Sequence, residues 1–229
     1  MKYKTLLFDL DGTLLDTNEL IISSFLYTLD QFFPGKYTRE TIIPHMGKTL
    51  YEQMVYFGKE KFAAEMVNVY REHNIRTHNE MVKDFPYVKE VLTYLYEEGA
   101  VMGVVTSKGI ITTEMGLKLF GLYPFMSTIV TFEDTKLHKP NPDPVLLAME
   151  KLNAKPNTTL MVGDSQYDIQ AAQNAGITSV GVAWSLKGSD FLQQFHPDYM
   201  LNDFRDLIPI VIGKEKEDEK YETLSGQRK

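Results

Sequence analysis

Five short apolar runs, separated from one another by helical patterns, constrain the fold of this 229-residue chain more than any other feature. A continuous apolar run of about four to eight residues is typical of a strand that is buried on both faces of a parallel sheet. The runs are Thr5–Phe8, Val101–Val105, Thr128–Thr131, Thr159–Val162 and Ser179–Val182. Because strands that alternate with helices form βαβ units, the sequence predicts an α/β fold with a Rossmann-like, doubly wound parallel sheet.

The segment between the first two runs is too long for a single crossover, and its apolar residues recur at helical spacing. They are Ile22, Phe25, Leu26, Leu29 and Phe33, followed by Phe62, Met66, Val69, Tyr70 and His73. We therefore expect a small α-helical cap, residues 17–82, inserted after the first strand. Residues 1–16 and 83–213 would then form the core, and residues 214–229 a polar tail.

Composition excludes several classes of protein. A formal net charge of −7 argues against sequence-independent binding of nucleic acid. The sequence contains no cysteine, which removes disulfides, thiolate metal sites and cysteine nucleophiles. We find neither a signal peptide nor an apolar run of the ~20 residues that would cross a bilayer. We expect a soluble cytoplasmic protein with no membrane, nucleic-acid or obligate protein partner.

Two carboxylates, Asp9 and Asp11, follow the first predicted strand in the sequence Asp9-Leu10-Asp11-Gly12-Thr13. Ligands of open α/β sheets bind at the carboxyl ends of the strands. Two carboxylates held close together repel, so one can stay ionised as a nucleophile or metal ligand while the other holds a proton as a general acid. The alternative is a solvated Asp-Gly turn, but the position of the two carboxylates at a strand end favours a functional pair.

Other candidate residues follow the later strands. The hydroxyls of Thr106 and Ser107 could bind a phosphate oxygen, although such residues often cap helices. The ammonium group of Lys139, next to Pro140, suits a phosphate or an aspartyl-phosphate.

Asp164 comes just after the fourth predicted strand, and Asp168 follows four residues later. Together with Asp9 they would supply the oxygen ligands that Mg²⁺ prefers. The alternative for Asp164 is a helix cap, which would explain one acidic residue but not the whole set.

These motifs occur in the order found in the haloacid dehalogenase superfamily of phosphotransferases, which the chain resembles from Thr5 to about Leu207. The helical insert resembles the cap of the phosphoglycolate phosphatase-like branch. Three further stretches are similar to bacterial inorganic pyrophosphatases of this branch: residues 12–22, 115–119 and 181–184. Asp16 is a departure, because that subgroup usually has asparagine there.

The resemblance implies that Asp9 attacks phosphorus to form an aspartyl-phosphate, while Asp11 protonates the leaving oxygen and then activates water. It also implies a Mg²⁺ cofactor held by Asp9, the backbone carbonyl of Asp11 and Asp164, with Asp168 supporting these ligands. Thr106, Ser107 and Lys139 would bind the transferred phosphoryl group.

In the cap, Gly47 and Lys48 resemble the loop that reads the leaving group in relatives. We expect Lys48 to contact the distal phosphate of the substrate; a solvated lysine at the start of a helix is the alternative.

The expected activity is therefore Mg²⁺-dependent hydrolysis of inorganic pyrophosphate, a small phosphorylated substrate, to two phosphates. A phosphoglycolate phosphatase or another small-molecule phosphomonoesterase would share the core motifs and differ in the cap. Outside the enzymes, the chain could be a switch in which phosphorylated Asp9 persists. Such a switch would have no use for the general acid Asp11.

Overall fold

The computed structural model describes residues 1–213, and the predicted polar tail, residues 214–229, lies outside the described residues. Within the described part, eight strands are β1 (Thr5–Phe8), β2 (Leu15–Asp16), β3 (Lys83–Asp84), β4 (Val101–Val105), β5 (Met126–Val130), β6 (Thr159–Gly163), β7 (Thr178–Val182) and β8 (Tyr199–Leu201). The helices are α1 (Asn18–Phe32), α2 (Arg39–Ile42), α3 (Leu50–Met81), α4 (Val88–Glu97), α5 (Ile110–Leu119), α6 (Asp143–Lys151), α7 (Gln166–Asn174), α8 (Ser189–Gln193) and α9 (Leu207–Ile212). Short 3₁₀ turns cover Ile43–His45, Tyr123–Phe125, Pro156–Thr158 and Phe204–Asp206.

Six strands form one parallel sheet in the order β5-β4-β1-β6-β7-β8, which confirms the predicted α/β class. All five predicted strands are present, although the third starts at Met126 and ends at Val130. The sixth, β8, was not predicted because its three residues are too few to give a pattern.

Both faces of the sheet are covered, which explains why the strands read as continuous apolar runs. Along β1, Leu6 and Phe8 pack into the hydrophobic cluster that includes Val91 and Leu95 of α4. Leu7 points to the opposite face and packs into the cluster of helices α6 and α7.

Helices α1 and α3 pack against each other and share a separate hydrophobic cluster that includes Phe25, Met54 and Met66. Helix α3 is broken at Lys59, where φ is 55°. Strands β2 and β3 pair antiparallel at the two points where the chain enters and leaves this helical segment. These contacts agree with a capped core, but the division into residues 17–82 and the remainder stays a prediction.

The indole ring of Trp184 packs near two other aromatic rings. Its centroid is 5.8 Å from that of Phe85, just after β3, and 6.1 Å from that of Phe204. Among residues 1–213, no helix has the length and apolar character required to cross a membrane.

Candidate active site

Three neighbouring strands of the sheet bring the predicted residues to one edge. Asp9 follows β1, Thr106 follows β4 and Asp164 follows β6, and β1 lies between the other two strands. Lys139 reaches the same place from the loop between β5 and α6. All four residues line one cavity, as the carboxyl-end rule for open sheets predicts.

The ammonium group of Lys139 is buried and fully engaged. It donates to Asp9 Oδ1 at 3.0 Å, to Asp168 Oδ1 at 2.5 Å and to the carbonyl oxygen of Val105 at 3.1 Å. These acceptors use its three N–H groups, so Lys139 holds Asp9 in a fixed orientation.

Asp168 has both of its oxygens occupied by protein. While Oδ1 accepts from Lys139, Oδ2 accepts from the backbone N–H of Ser165 at 3.0 Å and from its hydroxyl at 2.6 Å. This is the capping box that starts α7, with Asp168 as its third residue. The sequence Gly163-Asp164-Ser165 therefore ends a strand and starts a helix, and the cap fixes the position of Lys139.

The carboxylates of this cluster are electrostatically crowded. Burial raises the pKa of Asp9 to about 7. The positive charge of Lys139 opposes this shift, and the negative charges of Asp168 and Asp11 reinforce it. Burial also raises the pKa of Asp164 well above its usual value, and the charges of Asp168 and Asp9 add to the effect. Both shifts mean that the cluster favours positive charge.

The donor set fits a divalent cation. One oxygen each from Asp9, Asp164 and Asp168 lies within 4.8 Å of the other two, although both oxygens of Asp168 already accept hydrogen bonds from protein. When every group is ionised, these three carboxylates and Asp11 carry four negative charges, whereas Lys108 and Lys139 carry two positive charges. One divalent cation would balance the difference. Carboxylate oxygens suit Mg²⁺.

Gly12 lets the turn after Asp11 approach Asp164 closely. Its φ is +76°, and a Cβ atom there would lie 2.3 Å from Asp164 Oδ2. Any side chain would therefore displace a candidate metal ligand, which gives a physical reason for glycine in the first motif.

Lys108 belongs to the site but was not among the predicted residues. Its ammonium group lies 3.0 Å from Oδ1 and 3.1 Å from Oδ2 of Asp11. The Lys108 side chain is 9% exposed and that of Asp11 is 21% exposed. The sequence feature that could have identified Lys108 is its position directly after Thr106 and Ser107, at the end of a predicted strand.

Thr106 and Ser107 lie beside this pair, and both line the cavity. The Thr106 hydroxyl oxygen accepts a hydrogen bond from the backbone N–H of Lys108 at 3.2 Å, so its own hydrogen remains available to a phosphate oxygen. Their role in binding a phosphoryl group stays a prediction.

The cavity has a volume of about 810 Å³ and lies between the strand ends and the helical insert. On the side of the insert its wall is largely apolar, formed by Ile21, Phe25, Leu50, Val67 and Tyr70 among others. This size is ordinary for a small-molecule site.

The loop before α3 is docked on the core. A Cβ atom on Gly47, whose φ is +106°, would lie 2.9 Å from the ring of Tyr167. Lys187, also absent from the predicted set, donates to the carbonyl oxygen of Met46 at 2.9 Å and to Gln166 Oε1 at 3.1 Å. Lys48 lines the cavity with an exposed side chain, and within residues 1–213 it makes no ion pair.

Comparison with known proteins agrees with this architecture. The sequence is 45% identical over 211 residues to pyrophosphatase PpaX of Bacillus mycoides, covering 92% of this chain and 98% of that one. It is 46% identical to pyrophosphatase PpaX of Bacillus velezensis, covering 90% and 95% of the two chains.

Solved structures are similar as well. A haloacid dehalogenase-like hydrolase from Bacteroides fragilis superposes with a TM-score of 0.84 at 27% identity, covering 90% of this chain and 100% of that one. A predicted phosphoglycolate phosphatase from Haemophilus somnus gives 0.79 at 25% identity, covering 92% and 98%. The haloacid dehalogenase-like hydrolase family matches residues 6–182, which include the strand-end carboxylates and Lys139. The predicted resemblance is confirmed: this chain belongs to the haloacid dehalogenase-like hydrolase family.

Proposed function

We propose that this phosphatase hydrolyses inorganic pyrophosphate to two phosphates, with Mg²⁺ as cofactor and a phosphorylated Asp9 as intermediate. The observation that carries the chemistry is the juxtaposition of Asp9, held by Lys139, with Asp11, held by Lys108. The choice of pyrophosphate is supported by the names of relatives that are about 45% identical over nearly the whole chain.

Asp9 would act as the nucleophile. Lys139 binds its Oδ1, whereas Oδ2 has no hydrogen bond from any of the residues 1–213. In the first step a carboxylate oxygen of Asp9 bonds to phosphorus, and the bond from phosphorus to the bridging oxygen breaks. Asp11 gives its proton to that oxygen as the leaving phosphate departs.

In the second step water attacks the phosphorus of the phosphorylated Asp9. Asp11, now a carboxylate, takes a proton from that water, and the bond between phosphorus and Asp9 breaks. The enzyme is then restored, and the second phosphate is free. Thr106 and Ser107 would bind the oxygens of the transferred group. Lys139, whose three N–H groups already have protein acceptors, would instead offset the negative charge of that group.

Asp9, Asp164 and the backbone carbonyl of Asp11 would hold Mg²⁺, and Asp168 would support them through its position in the carboxylate cluster. When bound, the ion supplies positive charge that offsets the repulsion between substrate phosphate and carboxylates. Since both oxygens of Asp168 already accept hydrogen bonds from protein, we assign it mainly to positioning Lys139.

A phosphomonoesterase is the second candidate, favoured by the apolar wall that the helical insert contributes to the cavity. An organic leaving group would pack against that wall, whereas a phosphate would not. A persistent phospho-switch is disfavoured by the presence of Asp11 near Asp9, because a switch would have no use for a general acid that speeds loss of the phosphoryl group.

The test is phosphate release with and without Mg²⁺ from pyrophosphate, 2-phosphoglycolate, hexose phosphates and p-nitrophenyl phosphate. We expect kcat/KM for pyrophosphate to exceed the others by at least about 100-fold. Asp11→Asn should lower kcat by about 10²- to 10⁴-fold while Mg²⁺ still binds. If a phosphomonoester leads, the second candidate is correct; release without Mg²⁺ would contradict the cofactor assignment.

A further inference from the structure

Lys108 contacts the candidate acid Asp11 rather than the candidate nucleophile Asp9. We propose that Lys108 determines specificity by binding the leaving phosphate of pyrophosphate, an inference that rests on the proposed function. It differs from the expectation for Lys48, which places this task in the insert.

The position of Lys108 follows from the task of Asp11. A general acid must lie within hydrogen-bonding distance of the oxygen that it protonates. The ammonium group of Lys108 lies 3.0 and 3.1 Å from the two oxygens of Asp11, and therefore beside the leaving group. Lys139 reaches Asp9 instead, beside the phosphoryl group that is transferred.

Lys108 also has a donor to spare. A lysine ammonium carries three N–H groups, and among residues 1–213 its only acceptors are the two oxygens of Asp11. The third N–H is free for a phosphate oxygen. In Lys139, by contrast, all three N–H groups already have acceptors.

The other cations along the cavity are less suited. Lys187 donates to the carbonyl oxygen of Met46 and to Gln166. Arg71 is exposed, and its guanidinium lies 5.7 Å from the ring centroid of Phe132 rather than beside Asp11. Lys48 lines the cavity with an exposed side chain, and within the described chain it has no ion pair that would fix its position.

The benefit of this charge depends on the leaving group. A departing phosphate keeps negative charge even after Asp11 has protonated its bridging oxygen, so an adjacent ammonium stabilises the transition state. A departing phenol is neutral once protonated and gains much less. Lys108 should therefore favour pyrophosphate over an ester with an uncharged leaving group.

The experiment compares Lys108→Met, Lys108→Gln and Lys108→Arg with pyrophosphate and phenyl phosphate at saturating Mg²⁺. For Met and Gln we expect kcat/KM for pyrophosphate to fall about 10- to 100-fold, the range for a lost hydrogen bond to a charged group. The loss with phenyl phosphate should be at least about tenfold smaller, and arginine should restore part of the preference.

Lys118→Met is the matched control, because it removes the same charge from α5 at an exposed position outside the cavity. Circular dichroism establishes that each variant is folded, and Gln provides a second neutral side chain if Met is not tolerated.

Equal losses with both substrates would overturn the inference, since Lys108 would then act only by positioning Asp11. If the unmodified enzyme prefers phenyl phosphate to pyrophosphate, the proposed function fails instead, and this specificity role fails with it.

Discussion

Protons should compete with Mg²⁺ for the carboxylate cluster, so metal affinity should fall as the solution is acidified. Burial and neighbouring carboxylates raise the pKa of Asp9 to about 7 and raise that of Asp164 in the same direction. A carboxylic acid must lose its proton before it can bind the cation. A change of pH alone, with no change in sequence, should therefore alter the affinity for Mg²⁺.

The magnitude follows from the pKa of Asp9. With a pKa of about 7, the carboxyl group is about nine-tenths ionised at about pH 8 and about one-tenth ionised at about pH 6. The apparent dissociation constant should rise at least about tenfold over this interval, equivalent to about 1.4 kcal/mol. Asp164 shifts in the same direction, so it can only enlarge the effect.

The free energy of unfolding of the metal-free protein should also depend on pH. Because the pKa of Asp9 in the folded protein exceeds its usual value of 3.8, its contribution to stability is present below about pH 4 and is lost as the pH rises through about 7. The metal-free protein should therefore lose stability over that range. Mg²⁺ should restore it, so the rise in Tm on adding Mg²⁺ should be larger at about pH 8 than at about pH 6.

Isothermal titration calorimetry with Mg²⁺ at several pH values, at constant ionic strength, measures the affinity directly, and thermal unfolding measures the change in Tm. Asp9→Asn is the control, since it cannot bind a proton at that position and should lose the part of the pH dependence that Asp9 supplies. A dissociation constant that does not change between about pH 6 and about pH 8 would refute the reasoning. The same conclusion would follow if Asp9→Asn left the pH dependence intact.

Two substitutions test the contacts around the cluster. Lys139→Met removes a buried ammonium group that has three acceptors. In EDTA, urea denaturation should show that the free energy of unfolding falls by about 3–5 kcal/mol. A loss below about 1 kcal/mol would contradict the role of Lys139 in holding the carboxylates together. Gly47 has a φ of +106°, and a Cβ atom there would lie 2.9 Å from the ring of Tyr167, so Gly47→Ala should undock the loop before α3. We expect KM, measured by steady-state kinetics, to rise about tenfold. An unchanged KM would show that this contact has no part in substrate binding.

The sequence predicts the sheet well because strands that are buried on both faces consist of consecutive apolar residues. The run Thr5–Phe8 is apolar at Leu6, Leu7 and Phe8, since alternate residues enter different clusters. The strand-end rule then places Asp9 and Asp164 at one edge, as the structure has them.

Contacts between side chains on different elements were harder to predict. Lys108 and Asp11 are 97 residues apart, and their pairing depends on β4 lying next to β1 and on the turn at Gly12. Lys187 and the carbonyl of Met46 are 141 residues apart and meet only because the loop before α3 docks. The break at Lys59 leaves no trace in the apolar spacing, because helical pattern continues on both sides.

The surroundings of Trp184 make the enzyme suitable for optical experiments. The sequence contains one tryptophan and no cysteine. This indole lies against Phe85, where the chain returns from the helical insert, and next to Ser185, whose hydroxyl donates to the backbone carbonyl of Asp164 at 2.6 Å. Its fluorescence therefore reports from a single place, near Phe85 on one side and near the carboxylate cluster on the other. A single cysteine introduced on α1 or α3 would take a thiol-reactive dye uniquely, and energy transfer from Trp184 to that dye would follow the insert as substrate enters.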